Sequence, residues 1–322
     1  MSILITGGGG FIGRHTAKLL RASGLEPVVL DNLTTGRRDA TGWGTFIEGD
    51  IADVPLVRKV LREHEVTAVI HLAASAHVGD SMAHPDAYYR NNVCGTTSLL
   101  EAMTAEGVLQ LVFASSCAVY GNSASTAAHE DEPVIPMSPY GESKLVTERA
   151  SPWYQLAFGL RWVALRYFNV AAAEDSMGED LVGCRRIIPR TVHAAIGGGP
   201  ALGVFGTDFD TPDGSAVRDY VHVSDVANAN LLALQYVAEG RAPAVMNIAA
   251  GVGTSVLQII DEVGRQTGHP VPHTLEAARD GDPGCAIADI SRARRELGWT
   301  PAASGLENIV ASVLRSSALR AG

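Results

Sequence analysis

The stretch Thr-Gly-Gly-Gly-Gly-Phe-Ile-Gly, residues 6–13, restricts this chain more than any other. A short apolar run, Ile3 to Ile5, precedes it. A helical pattern follows, in which Ile12, Leu19 and Leu20 share a face and Gly24 is placed to stop the helix. The glycines satisfy G-x-G-x-x-G from Gly8 and G-x-x-G-x-x-G from Gly7, and both readings end at Gly10 and Gly13. Without side chains the backbone can approach a pyrophosphate, and the start of the next helix offers it free N–H groups and a positive dipole. A second strand, "PVVLDN", carries Asp31 at its end, close to the roughly 20-residue spacing at which a carboxylate receives ribose hydroxyls. A carboxylate there repels a 2′-phosphate, so NAD is expected over NADP; Arg37 and Arg38 are nearby cations that weigh the other way.

The alternation continues. "TFIEGDI" reads as a third strand whose exit carries Asp50 and Ile51, suited to the edge and face of an adenine. "AVIHLAA", "QLVFASS" and "RWVALRYFN" read as the fourth, fifth and sixth, with helical patterns between most of them. Short buried strands joined by helical crossovers predict an α/β fold with a doubly wound parallel sheet. Ligands of such sheets lie at the carboxyl ends of the strands, so the residues just past each strand are the ones that matter.

A chain of 322 residues, 46% hydrophobic, is long enough for two cores. Its formal net charge of -10 argues against non-specific binding of nucleic acid or membrane surfaces, and an anionic ligand would need particular arginines to hold it. Four scattered cysteines without a C-x-x-C read as reduced thiols in a cytoplasm, not as a disulfide framework or metal site. No signal peptide and no membrane-spanning run is expected.

Ser115 and Ser116 close the fifth strand. Tyr140 follows a loop, and Lys144 lies one helical turn beyond it, on the same face. A phenol with a pKa of about 10 is a poor base at neutral pH. A nearby ammonium and a cationic nicotinamide both favour its phenolate. Tyr140 is then able to take a proton from a substrate hydroxyl while hydride leaves the attached carbon, with Ser116 orienting that oxygen. Ser115 either caps the strand or touches the nicotinamide amide. Cys117 reads as a small buried hydrophobe.

With these residues in view, the chain resembles the extended short-chain dehydrogenases/reductases, and among them the UDP-glucose 4-epimerase family. "TGGGGFIG", "DNLTTG", "VIHLAA", "YYRNNVCGT", "SSCAVYG", "SPYGESK", "LRYFNV" and "VFGTDFDTPDGSAVRDYVHVSD" carry the resemblance, in order and almost end to end. It implies a Rossmann domain with a smaller C-terminal substrate domain. It also implies tightly held NAD that oxidises C4 of a UDP-sugar and returns the hydride to the other face. Tyr140 then resembles the base, Ser116 its hydrogen-bonding partner, and Lys144 the residue that binds the nicotinamide ribose and lowers the tyrosine pKa. Cofactor contacts are implied for Gly7, Gly10, Phe11, Ile12, Gly13, Asp31, Asn32, Asp50, Ile51, Leu72, Ala73, Ala74, Asn92, Ser115 and Tyr167. On the substrate side, Asn169 resembles a UDP contact, and Arg218 and Arg279 resemble the arginines that hold the diphosphate. Asp282 would touch the nucleotide ribose and Phe205 the uracil. The alternative for the arginines is surface pairing, Arg218 with Asp219 and Arg279 with Asp280.

The resemblance divides the chain into an NAD-binding unit of residues 1–168 plus about 219–250, and a UDP-sugar unit of about 169–218 plus 251–322. A homodimer is implied. Three departures stand out. The loop after "YFN" is slightly short and carries Ala172 where the family commonly has glycine. Pro152 falls within the Tyr140 helix and is expected to break it near Ser151. Ala286 replaces a bulky residue beside the hexose, leaving space for N-acetylated UDP-hexoses. The other readings are a 4-epimerase of UDP-uronates or UDP-pentoses, a carbonyl reductase exchanging NADP, and a dinucleotide-binding regulatory protein without turnover.

Overall fold

A computed structural model describes residues 1–38, 42–122, 127–179, 181–279 and 283–321. The strands are β1 (Ser2–Thr6), β2 (Glu26–Asp31), β3 (Thr45–Glu48), β4 (Val66–His71), β5 (Gln110–Ser116), β6 (Arg161–Tyr167) and β7 (Asn169–Ala171). After them come β8 (Leu202–Phe205), β9 (Val217–His222), β10 (Ala244–Ile248), β11 (Gly253–Ser255), β12 (His273–Glu276) and β13 (Cys285–Ala286). The helices are α1 (Phe11–Ala22), α2 (Val54–Glu63), α3 (Val78–Ala83), α4 (Pro85–Tyr88), α5 (Gly95–Ala105) and α6 (Pro139–Phe158). α7 (Ile187–Ala195), α8 (Val223–Ala238), α9 (Val256–Thr267), α10 (Ser291–Leu297) and α11 (Leu306–Ala321) complete them. A π-helical segment, Tyr89–Cys94, joins α4 to α5.

Seven strands form one sheet in the order β10-β6-β5-β4-β1-β2-β3, parallel throughout. Side chains alternate across the pleat, and both faces are apolar. Ile3, Ile5 and Ile70 bury against Ala17 and Leu20 of α1 and Val226 and Ala229 of α8. Leu4, Val69 and Leu111 bury on the opposite face against Val57 of α2 and Leu99 and Met103 of α5. The strand order reverses between β1 and β4, which opens a crevice at their carboxyl ends. Thr6 and His71 end these two strands there, and the glycine turn follows directly.

A further core lies beyond the sheet. Ile188 and Val192 of α7, Leu202 and Val204 of β8, Ile259 of α9 and Val310 of α11 pack together in it. There β12 runs parallel to β8, and β9 pairs with β7, β11 and β13. β9 therefore lies outside the large sheet, whereas β10 is its edge strand and α8 covers α1.

Two of the three departures have structural outcomes. α6 does not break at Ser151: it runs through Pro152 to Phe158 and ends at Gly159, φ 78°. Ser138 caps its start, accepting from Gly141 N at 3.1 Å, and a buried stripe including Ser143, Lys144, Thr147, Glu148 and Ser151 holds the part before Pro152 against the sheet, while beyond it only Tyr154 is partly buried. An interior proline costs roughly 3 kcal/mol, yet the helix continues past it to Phe158. Ala172 sits at φ 77°, a left-handed conformation that costs a Cβ-bearing residue about 1–2 kcal/mol, so the position favours the glycine it lacks.

Candidate active site

The glycine turn is shaped by contact. Gly7, at φ 69°, lies so close to the β4 exit that a Cβ there would stand 2.6 Å from Ala73 N. A Cβ on Gly13 would stand 2.4 Å from Gly7 O, which seals the turn against α1. Gly10 is the N-cap of α1, no side chain caps that end, and its first turn holds no acidic residue. The helix start is thus left to an anion, the chemistry that a pyrophosphate supplies. Phe11 and Ile12 open the helix, and Leu72, which bonds Thr6 O at 3.0 Å, leads Ala73 and Ala74 past the glycines.

Asp31 is buried at the end of β2. Its Oδ2 accepts from Gly9 N at 2.9 Å and its Oδ1 from Leu33 N at 2.8 Å. Each carboxylate oxygen keeps a lone pair for a ribose hydroxyl. Asn32 Nδ2 donates to Asp50 Oδ2 at 2.9 Å, and Ile51 is buried beside them. Arg38 is paired with Glu48 and stacked over Phe46, 5.1 Å from its centre. The uncapped helix start, the glycine contacts and the oriented carboxylate together fit a dinucleotide.

At the carboxyl end of β5, Ser116 accepts from Ala118 N at 3.2 Å, and its hydroxyl faces Tyr140 closely enough to act on the phenol. Burial pushes the Tyr140 phenol up to about 12, while the neighbouring Ser116 hydroxyl and, more weakly, the charge of Arg186 act in the opposite sense. Lys144 is buried and donates to Ala114 O at 2.8 Å; its Nζ lies 6.0 Å from the Tyr140 ring centre and 5.0 Å from that of Phe113. Burial depresses its own pKa to about 7. In this geometry Lys144 does not reach the phenol directly, and the charge that favours phenolate is left to a bound cationic ring. Ser115 turns to the other side and donates to Glu148 Oε1 at 2.5 Å. Cys117 is partly buried, its thiol pushed up to about 11 by burial.

Asn92 is wholly engaged by protein. It accepts from Ser75 N at 2.8 Å and donates to Ser75 O at 3.0 Å and Ser143 Oγ at 2.9 Å, tying the loop after β4 to α6. Tyr167 directs its hydroxyl to Asn230 Oδ1 of α8 at 2.6 Å.

The substrate-side residues fall on the smaller sheets. Asn169 opens β7, paired with Tyr220 of β9. Arg218 is flanked on β9 by Ala286 of β13 and Thr254 of β11. Arg218 does not pair with Asp219: its Nη1 donates to Val217 O at 2.9 Å, whereas Asp219 points away and accepts from the amides of Ala250, Gly251 and Ala288. Successive strand residues face opposite sides, which separates these neighbours. Arg279 stacks over Phe205, 3.6 Å from its ring centre. Asp280 and Asp282 lie outside the described residues.

Several residues at the site were not singled out from the sequence. The Tyr88 ring meets Tyr140 edge-on at 6.4 Å, and its hydroxyl donates to His77 O at 2.6 Å. Arg186 stacks 4.4 Å from the centre of Phe11, beside Glu179. His71 joins the two strands at the crevice. Thr96 Oγ1 donates to Asn92 O at 2.6 Å, so it accepts from His71 Nε2, and His71 Nδ1 accepts from Thr6 Oγ1 at 2.6 Å. Only Ser143, enclosed by Tyr140 and Lys144 in the motif, carried a signal in its spacing; the others are brought in by long-range packing.

Residues 3–249 match the model of the NAD dependent epimerase/dehydratase family. The chain is 41% identical over 312 residues to a UDP-glucose 4-epimerase of Halalkalibacterium halodurans, covering 96% of this chain and 93% of that one. It superposes with a TM-score of 0.93 on a Brucella ovis UDP-glucose 4-epimerase solved in complex with NAD, at 42% identity and 98% coverage of both chains. The UDP-Glc/GlcNAc 4-epimerase of Campylobacter jejuni matches with a TM-score of 0.86 at 34% identity, covering 99% of each chain. With its crevice, glycine turn and Ser-Tyr-Lys cluster, this chain belongs to the NAD dependent epimerase/dehydratase family.

Proposed function

We propose that the chain interconverts the C4 epimers of UDP-hexoses, UDP-glucose and UDP-galactose, with NAD that it retains between turnovers. The observation that carries this reading is the convergence of Ser116, at the carboxyl end of β5, with Tyr140 and Lys144, one helical turn apart on α6, beside the glycine cradle. NAD held in this cradle would supply the acceptor, and then the donor, of the C4 hydride. Tyr140 takes the proton of the C4 hydroxyl and later returns it to the transient 4-ketone, and Ser116 holds that oxygen. Lys144, anchored on Ala114 O, presents its ammonium to the cofactor's ribose. The N–H groups at the start of α1 hold the pyrophosphate, and Asp31 receives a ribose diol.

The smaller unit, carrying Asn169, Phe205, Arg218, Arg279 and Ala286, would bind the UDP-sugar, with Asp282 as a further ribose contact. Binding energy from the UDP end is remote from C4 and serves to hold the sugar while leaving it free to turn over. The small side chain of Ala286, beside Arg218, supports acceptance of N-acetylated UDP-hexoses. The exposed Trp153, Leu156 and Phe158 on α6 support a homodimer joined through that helix. Among the described residues no helix is long and apolar enough to cross a membrane. The free cysteines support a reducing, cytoplasmic setting.

The test is incubation of the purified protein, without added NAD, with UDP-glucose, UDP-N-acetylglucosamine, UDP-glucuronate and UDP-xylose, followed by separation of C4 epimers. UDP-galactose from UDP-glucose, with NAD released on denaturation, is expected. A protein that holds no dinucleotide and epimerises none of the four refutes the reading.

A further inference from the structure

Arg166 of β6 lies opposite Ser115 of β5 in the sheet register, with its side chain 5% exposed. Its guanidinium forks onto Glu148 of α6: Nε donates to Oε1 at 3.0 Å and Nη2 to Oε2 at 2.6 Å. Ser115 donates to that same Oε1. The guanidinium also lies 4.7 Å from the centre of the Tyr120 ring, and Tyr120 in turn donates to Asn247 Oδ1 at 2.7 Å. One buried cation is therefore connected to both sides of Ser116: to Ser115 just before it, and to Tyr120 on the turn that leaves it. Through Glu148 it also grips the helix that carries Tyr140 and Lys144. These three residues recur every four positions along α6 and so share a face.

Pro152 gives the grip its importance. It has no N–H, so the Glu148 carbonyl lacks the donor that the next helical turn normally supplies. α6 is weakest at the turn where the Glu148 side chain is clamped to the sheet. Stability alone is a poor account of such a cluster. Replacing both members of a buried ion pair by apolar residues is often neutral or stabilising, whereas removing one is strongly destabilising.

We propose that Arg166, acting through Glu148 and Tyr120, is a positioning residue that sets where Ser116 and Tyr140 stand relative to each other. This deepens the proposed function and rests on it. Arg166 touches no reacting atom; its effect is on the geometry of the two oxygens that do.

The double variant Arg166→Met/Glu148→Leu removes both charges without leaving one buried and unpaired, and Tyr120→Phe probes the turn alone. Each is assayed as NAD-loaded protein, with rates divided by bound NAD. The double variant is expected to keep its NAD and the parental KM for UDP-glucose, while kcat falls by about tenfold to a hundredfold, the scale of a small misplacement. The pH profile of kcat is expected to move as well, which a loss of stability alone does not produce. Tyr120→Phe is expected to lower kcat less, again at unchanged KM. A folded, NAD-loaded double variant with parental kcat and pH profile overturns the proposal. If the double variant does not fold, parental kcat in Tyr120→Phe overturns it instead. A parental protein with no epimerase activity refutes the functional reading itself and is recognised by that control.

Discussion

Lys144 Nζ donates to the carbonyl of Ala114 at 2.8 Å, so the lysine is anchored to β5 and not to the phenol one helical turn away. Burial depresses its folded pKa to about 7 from an ordinary 10.5. The unfolded chain therefore binds this proton between pH 7 and 10.5 while the folded chain does not. Stability from this group rises with pH through that window, and the full burial penalty applies below pH 7. Lys144→Met should raise Tm at pH 6 by several degrees, with the gain shrinking toward pH 10, and should abolish turnover. Melting curves at three pH values on NAD-free protein check this. A Tm difference independent of pH would show that the ammonium carries no such penalty.

Tyr140→Phe removes the proposed base and keeps the ring that packs on Tyr88. It is expected to bind UDP and NAD as the parent does while kcat falls about 10²–10⁴-fold, the usual worth of a positioned acid–base group. Ser116→Ala should lose activity in the same sense, by a smaller factor. Steady-state rates with calorimetric UDP binding measure both.

Gly7→Ala and Gly13→Ala each force a methyl onto backbone, 2.6 Å from Ala73 N and 2.4 Å from Gly7 O respectively. Gly7 also needs its φ of 69°. Both variants should emerge from gel filtration without NAD and melt lower than the parent. Gly24→Ala, whose Cβ would meet nothing within 4 Å but whose φ is 79°, should retain NAD and lose only about 1 kcal/mol of stability. Absorbance of the released dinucleotide decides between them.

Ala286 lies beside Arg218 across β9 and β13. Ala286→Tyr is expected to suppress turnover of UDP-N-acetylglucosamine at least tenfold while sparing UDP-glucose, because a bulkier pocket wall penalises only the larger substituent. Competition assays with the two sugars test it; equal loss for both would place Ala286 away from the hexose.

Much of the fold was legible because it is periodic or local. Six of the sheet's seven strands, β1 to β6, follow from short apolar runs separated by helical patterns, and the crevice from the glycine turn after β1. Alternation along a strand turns Ser115 and Ser116 to opposite faces. It could not say what Ser115 would meet, because Glu148 arrives on a helix 33 residues later. Asn92 illustrates the same limit: its amide is used up by Ser75 and Ser143, partners set by the docking of α6.

The amino-acid order alone determined which residues could serve chemistry: glycines where backbone must meet phosphate, Asp31 past β2, and a phenol and an amine one helical turn apart. Tertiary structure alone decided how those groups are held. Lys144 fastens to a strand carbonyl, α6 runs on through Pro152 to Phe158, and Arg166 joins elements that touch only after folding. The division has one physical cause. Backbone periodicity is set by neighbours a few residues apart, whereas burial, pKa and hydrogen-bond partners depend on distances across the core.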